Sequence, residues 1–177
     1  DYYALQQYGL EKGIREWGDR GKDAAYDEVK QLHMRSAFKP LRKNQLSAEE
    51  RAKVIGSLIF LKEKNHGTIK GRACADGRKQ REDPAQADAS SPTVSLESVL
   101  LTAVVDAHEE QDVAIVDIPN AFVQTDMDGE RVVMKLRGSL AELLIQVAPE
   151  LYSPFVVMEN GKVVLYVELL KALYSCL

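Results

Sequence analysis

Asp117 is the carboxylate whose setting could do chemistry. It stands near the end of the run Asp112-Val113-Ala114-Ile115-Val116-Asp117-Ile118, directly ahead of Pro119-Asn120-Ala121-Phe122. An ionised carboxylate between Val116 and Ile118 carries a desolvation cost unless a cation pairs with it, and a divalent metal does so well. The plainer alternative is a turn or helix cap at a strand end. A second chemistry lies upstream, where eight Lys/Arg stand between Lys53 and Arg81 against two acids, Glu63 and Asp76. Such a cluster suits a polyanion, and a guanidinium can hold phosphate oxygens bidentately. As plain solvated cations these residues would do nothing specific. Asp126, Asp128 and Glu130 follow Asp117 on what reads as a surface loop. His66 reads as a turn residue. Cys74 and Cys176 are too far apart for zinc-ligand spacing or a disulfide framework and read as two reduced thiols.

The elements that must position these residues are partly legible. Asp112 to Ile118 is a short β-branched apolar run, which predicts a buried strand ending at Pro119. Val54–Lys64 and Thr68–Ala75 flank Asn65-His66-Gly67, good turn chemistry, and predict a β-hairpin that carries the cations. Residues 82–92 form a polar, proline-bounded loop. A helix capped by Thr93 or Ser95 follows. Leu96, Leu100, Ala103, Val104 and Ala107 make its stripe, and Val99, Leu101 and Val105 widen it, so it is expected to be buried on most sides. Arg131–Leu136 reads as a strand, Ser139-Leu140-Ala141-Glu142 as a capping box, and Val156–Met158 with Val163–Val167 as a second hairpin around Asn160-Gly161. Glu168–Leu177 looks helical.

Upstream, Asp1–Lys39 is rich in helix formers broken by Gly9, Gly13, Gly18 and Gly21. The best helix is Asp23–Arg35, with Ala25, Val29 and Leu32 on one face and Pro40 ending it. Ser47-Ala48-Glu49-Glu50 spells another capping box. The 177 residues carry a net charge of -4. That figure divides into 18 Lys+Arg against 13 Asp+Glu over residues 1–83, or +5, and 5 against 14 over residues 84–177, or -9. A polyanion such as nucleic acid would be drawn to the front half and a cation such as Mg²⁺ to the back. No apolar run approaches the ~18 to 20 residues that span a bilayer, and no signal-peptide pattern opens the chain, so an intracellular protein, cytoplasmic or nuclear, is expected.

Five blocks occur in order: Lys70-Gly71-Arg72-Ala73-Cys74-Ala75-Asp76-Gly77, Ser91-Pro92-Thr93-Val94, Val116-Asp117-Ile118-Pro119-Asn120-Ala121-Phe122, Glu130-Arg131-Val132-Val133-Met134 and Lys171-Ala172-Leu173-Tyr174. The series resembles the reverse transcriptase of Ty1/copia-type LTR retrotransposons, whose Lys-Ala-Arg, Ser-Pro-Val, Asp-Val-x-x-Ala-Phe, Glu-x-x-Tyr-Met and Lys-x-Leu-Tyr-Gly segments follow the same order. Gly71 stands where the family has Ala, and Pro119 is unusual after the aspartate. The resemblance covers residues 31–177 and leaves residues 1–30 as an unassigned helical extension.

The resemblance implies an α+β fold, fingers and the first part of the palm of a right-hand polymerase, with a basic hairpin and helices packed on an antiparallel sheet. It implies RNA-directed DNA synthesis by two Mg²⁺ ions in the complete protein, with template-primer RNA or DNA and dNTPs as partners beside the remaining palm, thumb and RNase H of the polyprotein. Asp117 matches the first catalytic aspartate, a ligand to both metals. Phe122 matches the aromatic gate that excludes a 2′-OH. Lys70 and Arg72 match the residues that grip the incoming triphosphate. The family's Tyr-Val-Asp-Asp-like segment lies beyond the last matching block, and the chain contains no Asp-Asp pair. One carboxylate cannot hold two Mg²⁺ in this geometry. The 177 residues alone are therefore expected to be catalytically inactive, and a non-catalytic nucleic-acid-binding remnant using the basic hairpin is the alternative.

Overall fold

Residues 55–76 alternate buried and exposed positions with the period of a half-covered sheet, and the computed structural model, which describes residues 7–64, 66–76, 94–118 and 121–173, shows the corresponding hairpin. In chain order the elements are β1 (Gln7–Gly9), α1 (Leu10–Trp17), α2 (Asp19–Met34), β2 (Phe38–Leu41), α3 (Ala48–Lys53), β3 (Ile55–Glu63), β4 (Ile69–Asp76), α4 (Leu96–His108), α5 (Ala121–Gln124), β5 (Val133–Arg137), α6 (Ser139–Val147), α7 (Pro149–Tyr152), β6 (Val157–Glu159) and β7 (Lys162–Leu169). The fold is mixed α+β. Its seven strands form one sheet in the order β1-β3-β5-β7-β2, with β4 added to β3 and β6 to β7. Every pairing is antiparallel except β3 with β5, which runs parallel over Ile55↔Met134 and Gly56↔Lys135.

Helices α2 and α6 lie in the core beneath this sheet. Ala25, Val29 and Leu32 of α2 are buried with Ile59, Leu61 and Ala73, while Leu140 and Leu144 of α6 share the same core with Leu136 and Leu165. Each fully buried aliphatic side chain contributes about 1.5–3 kcal/mol. Helix α2 spans residue 30, so residues on both sides of that position belong to one core. A smaller apolar cluster gathers Leu41, Leu46, Val133, Val164 and Tyr166.

Local signals hold where their partners are local. Ser47 caps α3, its Oγ accepting from the Glu50 amide and the Glu50 carboxylate accepting from the Ser47 amide. Ser95 caps α4 through the Ser98 amide. Both hairpins form at the expected segments.

Several expectations are corrected. Helix α2 ends at Met34, where Ser36 adopts φ 55° and the Ala37 amide returns to the Leu32 carbonyl. Pro40 instead lies within β2, at the end of the sheet order, where an edge strand tolerates its missing N–H. Of the four glycines, only Gly18, at φ 56°, separates two helices. Gly13 and Gly21 lie inside α1 and α2, where the helices cross closely: a Cβ on Gly21 would come within 2.9 Å of the Gly13 carbonyl oxygen. Helix α6 is capped by the backbone of Gly138 at φ 56°, with Ser139 as its first residue, so the second capping box does not form. Glu168 and Leu169 complete β7 rather than opening a helix, because β2 and β5 both pair there, and residues 174–177 lie outside the described residues.

Candidate functional site

The largest correction concerns the segment carrying Asp117. Residues 111–118 are neither helix nor strand, and all of them are exposed. Val113, Ile115, Val116 and Ile118 stand 60% or more in solvent. The β-branched pattern states what the segment needs, a sheet edge and apolar cover, and none of the described strands supplies the edge. Helix α4 is likewise exposed along its length, including Leu96, Val99, Leu100, Leu101, Val104 and Val105, rather than buried. Its C-terminus is closed by Glu110 at φ 53° and by the Gln111 amide reaching the Asp106 carbonyl.

Asp117 thus stands exposed on a segment outside the sheet. Phe122 falls within α5, its side chain outside the described set, and Pro119 and Asn120 are outside it entirely. Asp126, Asp128 and Glu130 are exposed; Asp126 pairs with Lys171 and Glu130 with Lys53. Among the described residues no group of three or more His, Cys, Asp or Glu could hold a metal ion. The described residues alone therefore do not complete a two-Mg²⁺ centre.

Lys70 and Arg72 are brought together. Alternation along β4 puts both on one exposed face, directly across from Lys62 and Phe60 on β3. Between them Gly71 is buried, because α2 passes so close that a Cβ there would lie 2.6 Å from the Ala24 carbonyl oxygen. Glu28 of α2 reaches the same strand and accepts the Ala73 amide at 2.9 Å. Burial pushes its carboxyl up, against the pull of that amide and of Lys70 and Arg72.

A concavity of about 790 Å³ opens where the sheet divides. Strands β1 and β5 both lean on the edge of β3 opposite β4, β1 over residues 60–62 and β5 over residues 55–56, which leaves that edge without a strand partner at residues 57–59. One wall is β1 and α1, with Lys12 and Arg15; the other carries Lys135 and Arg137 of β5, and Lys43 and Arg51 enter beside Tyr166. Six cations thus face a single lining acid, Glu11. Arg15, Arg51 and Arg137 make no ion pair among the described residues. Lys70 and Arg72 do not line this cleft. The sequence conceals it because its cations come from three separate stretches, residues 12–15, 43–51 and 135–137, the last of them in the acidic half of the chain.

Glu159 at the end of β6 tempers the cleft. It accepts from Lys43 at 2.6 Å, from Lys135, and from the Tyr166 hydroxyl at 2.9 Å. The Lys135 ammonium, then that of Lys43, holds its carboxyl down at about 2, against an ordinary value of 4.5. A folded-state value below the unfolded one stabilises at higher pH, and the contribution fades as pH falls from 4.5 through about 2. Glu159→Gln is expected to lose less stability than the parent over that window, measured as urea midpoints at its two ends. The same change frees two cleft lysines, so it should strengthen polyanion binding at neutral pH.

Among the described residues no helix is long and apolar enough to cross a membrane. Comparisons with protein-family models, with curated proteins and with solved structures gave no match.

Proposed function

We propose that this chain is the nucleic-acid-binding, fingers-side portion of a copia-type RNA-directed DNA polymerase, and that its described residues grip phosphates without performing chemistry on their own. The observation that carries the reading is the cleft at the divided edge of β3, where Arg15, Arg51 and Arg137 converge from three elements with no ion pair among the described residues. Cations not held by carboxylates are suited to displacing counterions from a phosphate backbone. The exposed pair Lys70 and Arg72 extends the positive surface on the outer hairpin strand. The polymerase part of the proposal rests on the order of the five sequence blocks. In it, Asp117 is the first Mg²⁺ ligand, Phe122 the sugar gate, and Lys70 and Arg72 the triphosphate grip, each completed by segments outside these residues.

Fluorescence anisotropy of a labelled primer-template, titrated across salt concentrations, tests the binding. Affinity should fall steeply with salt and be unchanged by Asp117→Asn. Binding that ignores salt, or no binding, overturns the reading. A longer chain carrying a Tyr-Val-Asp-Asp-like segment should incorporate dNTPs with Mg²⁺, and Asp117→Asn should abolish that incorporation. Salt-sensitive binding without any incorporation by the longer chain would leave the non-catalytic remnant as the answer.

A further inference from the structure

We propose that residues 112–118 are a self-pairing strand, through which two copies of this chain associate antiparallel about Ile115, with the apolar arc of α4 buried alongside. This goes beyond the polymerase reading and does not depend on it.

The segment has the composition that a sheet interior requires, and no described strand pairs with it. Extended alternation puts Val113, Ile115 and Asp117 on one face and Asp112, Ala114, Val116 and Ile118 on the other, so each face is mostly aliphatic and carries one carboxylate. None of its amides or carbonyls has a backbone partner among the described residues. A row of open donors and acceptors with aliphatic side chains is a template for another strand. Helix α4, just upstream, is exposed and apolar as well, since no charged residue lies between Glu97 and Asp106. At 13 residues it is far too short to cross a bilayer. Its aliphatic side chains and those of the segment are each 43% to 98% exposed.

The sequence of the segment is compatible with its own copy. With Ile115 facing Ile115, Asp117 meets Val113, Asp112 meets Ile118 and Ala114 meets Val116, so neither aspartate faces an aspartate. Sliding the pair by one residue toward the N-terminus sets Asp112 against Asp117 and brings like charges together, which disfavours that register. The centred register pairs all seven residues with no such conflict.

Sedimentation velocity of the 177-residue chain should show a concentration-dependent monomer–dimer equilibrium. Ala114→Pro should shift it to monomer without lowering the melting temperature, because the segment makes no pairing with the sheet. Register is read by disulfide trapping in a Cys176→Ser background, where Cys74 is buried. Facing residues lie roughly 4.5–5.5 Å apart between Cα atoms, within disulfide reach. Ile115→Cys should therefore cross-link to itself under mild oxidation, and Val113→Cys, which faces residue 117, should cross-link far less. A chain monomeric at every concentration, a dimer that survives Ala114→Pro, or equal trapping at positions 113 and 115 would overturn the proposal.

Discussion

Reversing Arg15, Arg51 and Arg137 together to glutamate is expected to abolish salt-sensitive nucleic-acid binding while leaving the fold intact. All three residues are exposed and make no ion pair among the described residues, so the change breaks no salt bridge there. Surface changes of that kind usually stay within about 0.5 kcal/mol. Binding is a different matter, because each phosphate that is no longer neutralised lowers the slope of log affinity against log salt by about 0.7 on a single strand and 0.9 on a duplex. Three such phosphates thus remove about 2 to 3 from the slope. If each is worth about 1.4 kcal/mol, or tenfold, affinity falls on the order of a thousandfold before any repulsion from the new carboxylates. Anisotropy titrations at several salt concentrations measure both quantities. Lysine at the same three positions should retain most of the slope. If the slope persists after reversal and instead disappears on changing Lys70 and Arg72, the outer hairpin strand is the binding surface and the cleft is not.

Gly71→Ala is expected to be the most damaging small change in the hairpin, even though alanine is what the reverse transcriptase segment carries at this place. The added Cβ would stand 2.6 Å from the Ala24 carbonyl oxygen and 3.0 Å from the Glu28 Cβ. The first neighbour is helix backbone, which cannot swing aside as a side chain can. Either α2 lifts from β4, uncovering Val29 and Ala73, or β4 bends and loses pairing with Leu61 on β3. A shift at Glu28 also threatens its bond to the Ala73 amide, leaving a donor on the sheet edge unpaired. Overpacking of this kind costs about 1–3 kcal/mol, and the backbone clash puts this case toward the upper end. In a chain of this size each kcal/mol lowers Tm by roughly 2–4 °C, so a fall of about 5–10 °C is expected by calorimetry. A Tm unchanged by Gly71→Ala would mean that α2 does not pass closely over β4.

Much of the fold is readable because its causes are local. The capping box at Ser47 and Glu50 needs four residues, and the hairpin at Asn160-Gly161 needs only its turn and flanking alternation. Ala25, Val29 and Leu32 advertise a helix face by spacing alone. The failures share one cause, which is that a pattern states what a segment demands and not what will meet it. Asp112 to Ile118 has the composition of a buried strand, yet burial requires an edge and cover. Pro40 reads as a helix stop because nothing local shows that residues 38–41 pair with β7 more than a hundred positions away. The cleft is invisible for the same reason. Arg15, Arg51 and Arg137 become neighbours only when β1 and β5 lean on the same edge of β3, and no spacing along the chain encodes that.

Strand β7 has a consequence for how the protein is made. It pairs with β5 along one edge and with both β2 and β6 along the other, and it buries Val164, Leu165 and Val167 completely or nearly so. Those pairings join residues synthesised early to residues synthesised late. As the chain leaves the ribosome, α2 and the β3–β4 hairpin emerge long before residues 162–169, and until then β2 has no strand to pair with. Long-range pairings of this kind fold slowly, and the waiting edges stay open to other chains. The decisive closing event of this sheet is therefore its last, and a holdase that shields β2 and β5 through that interval should raise the yield of folded protein.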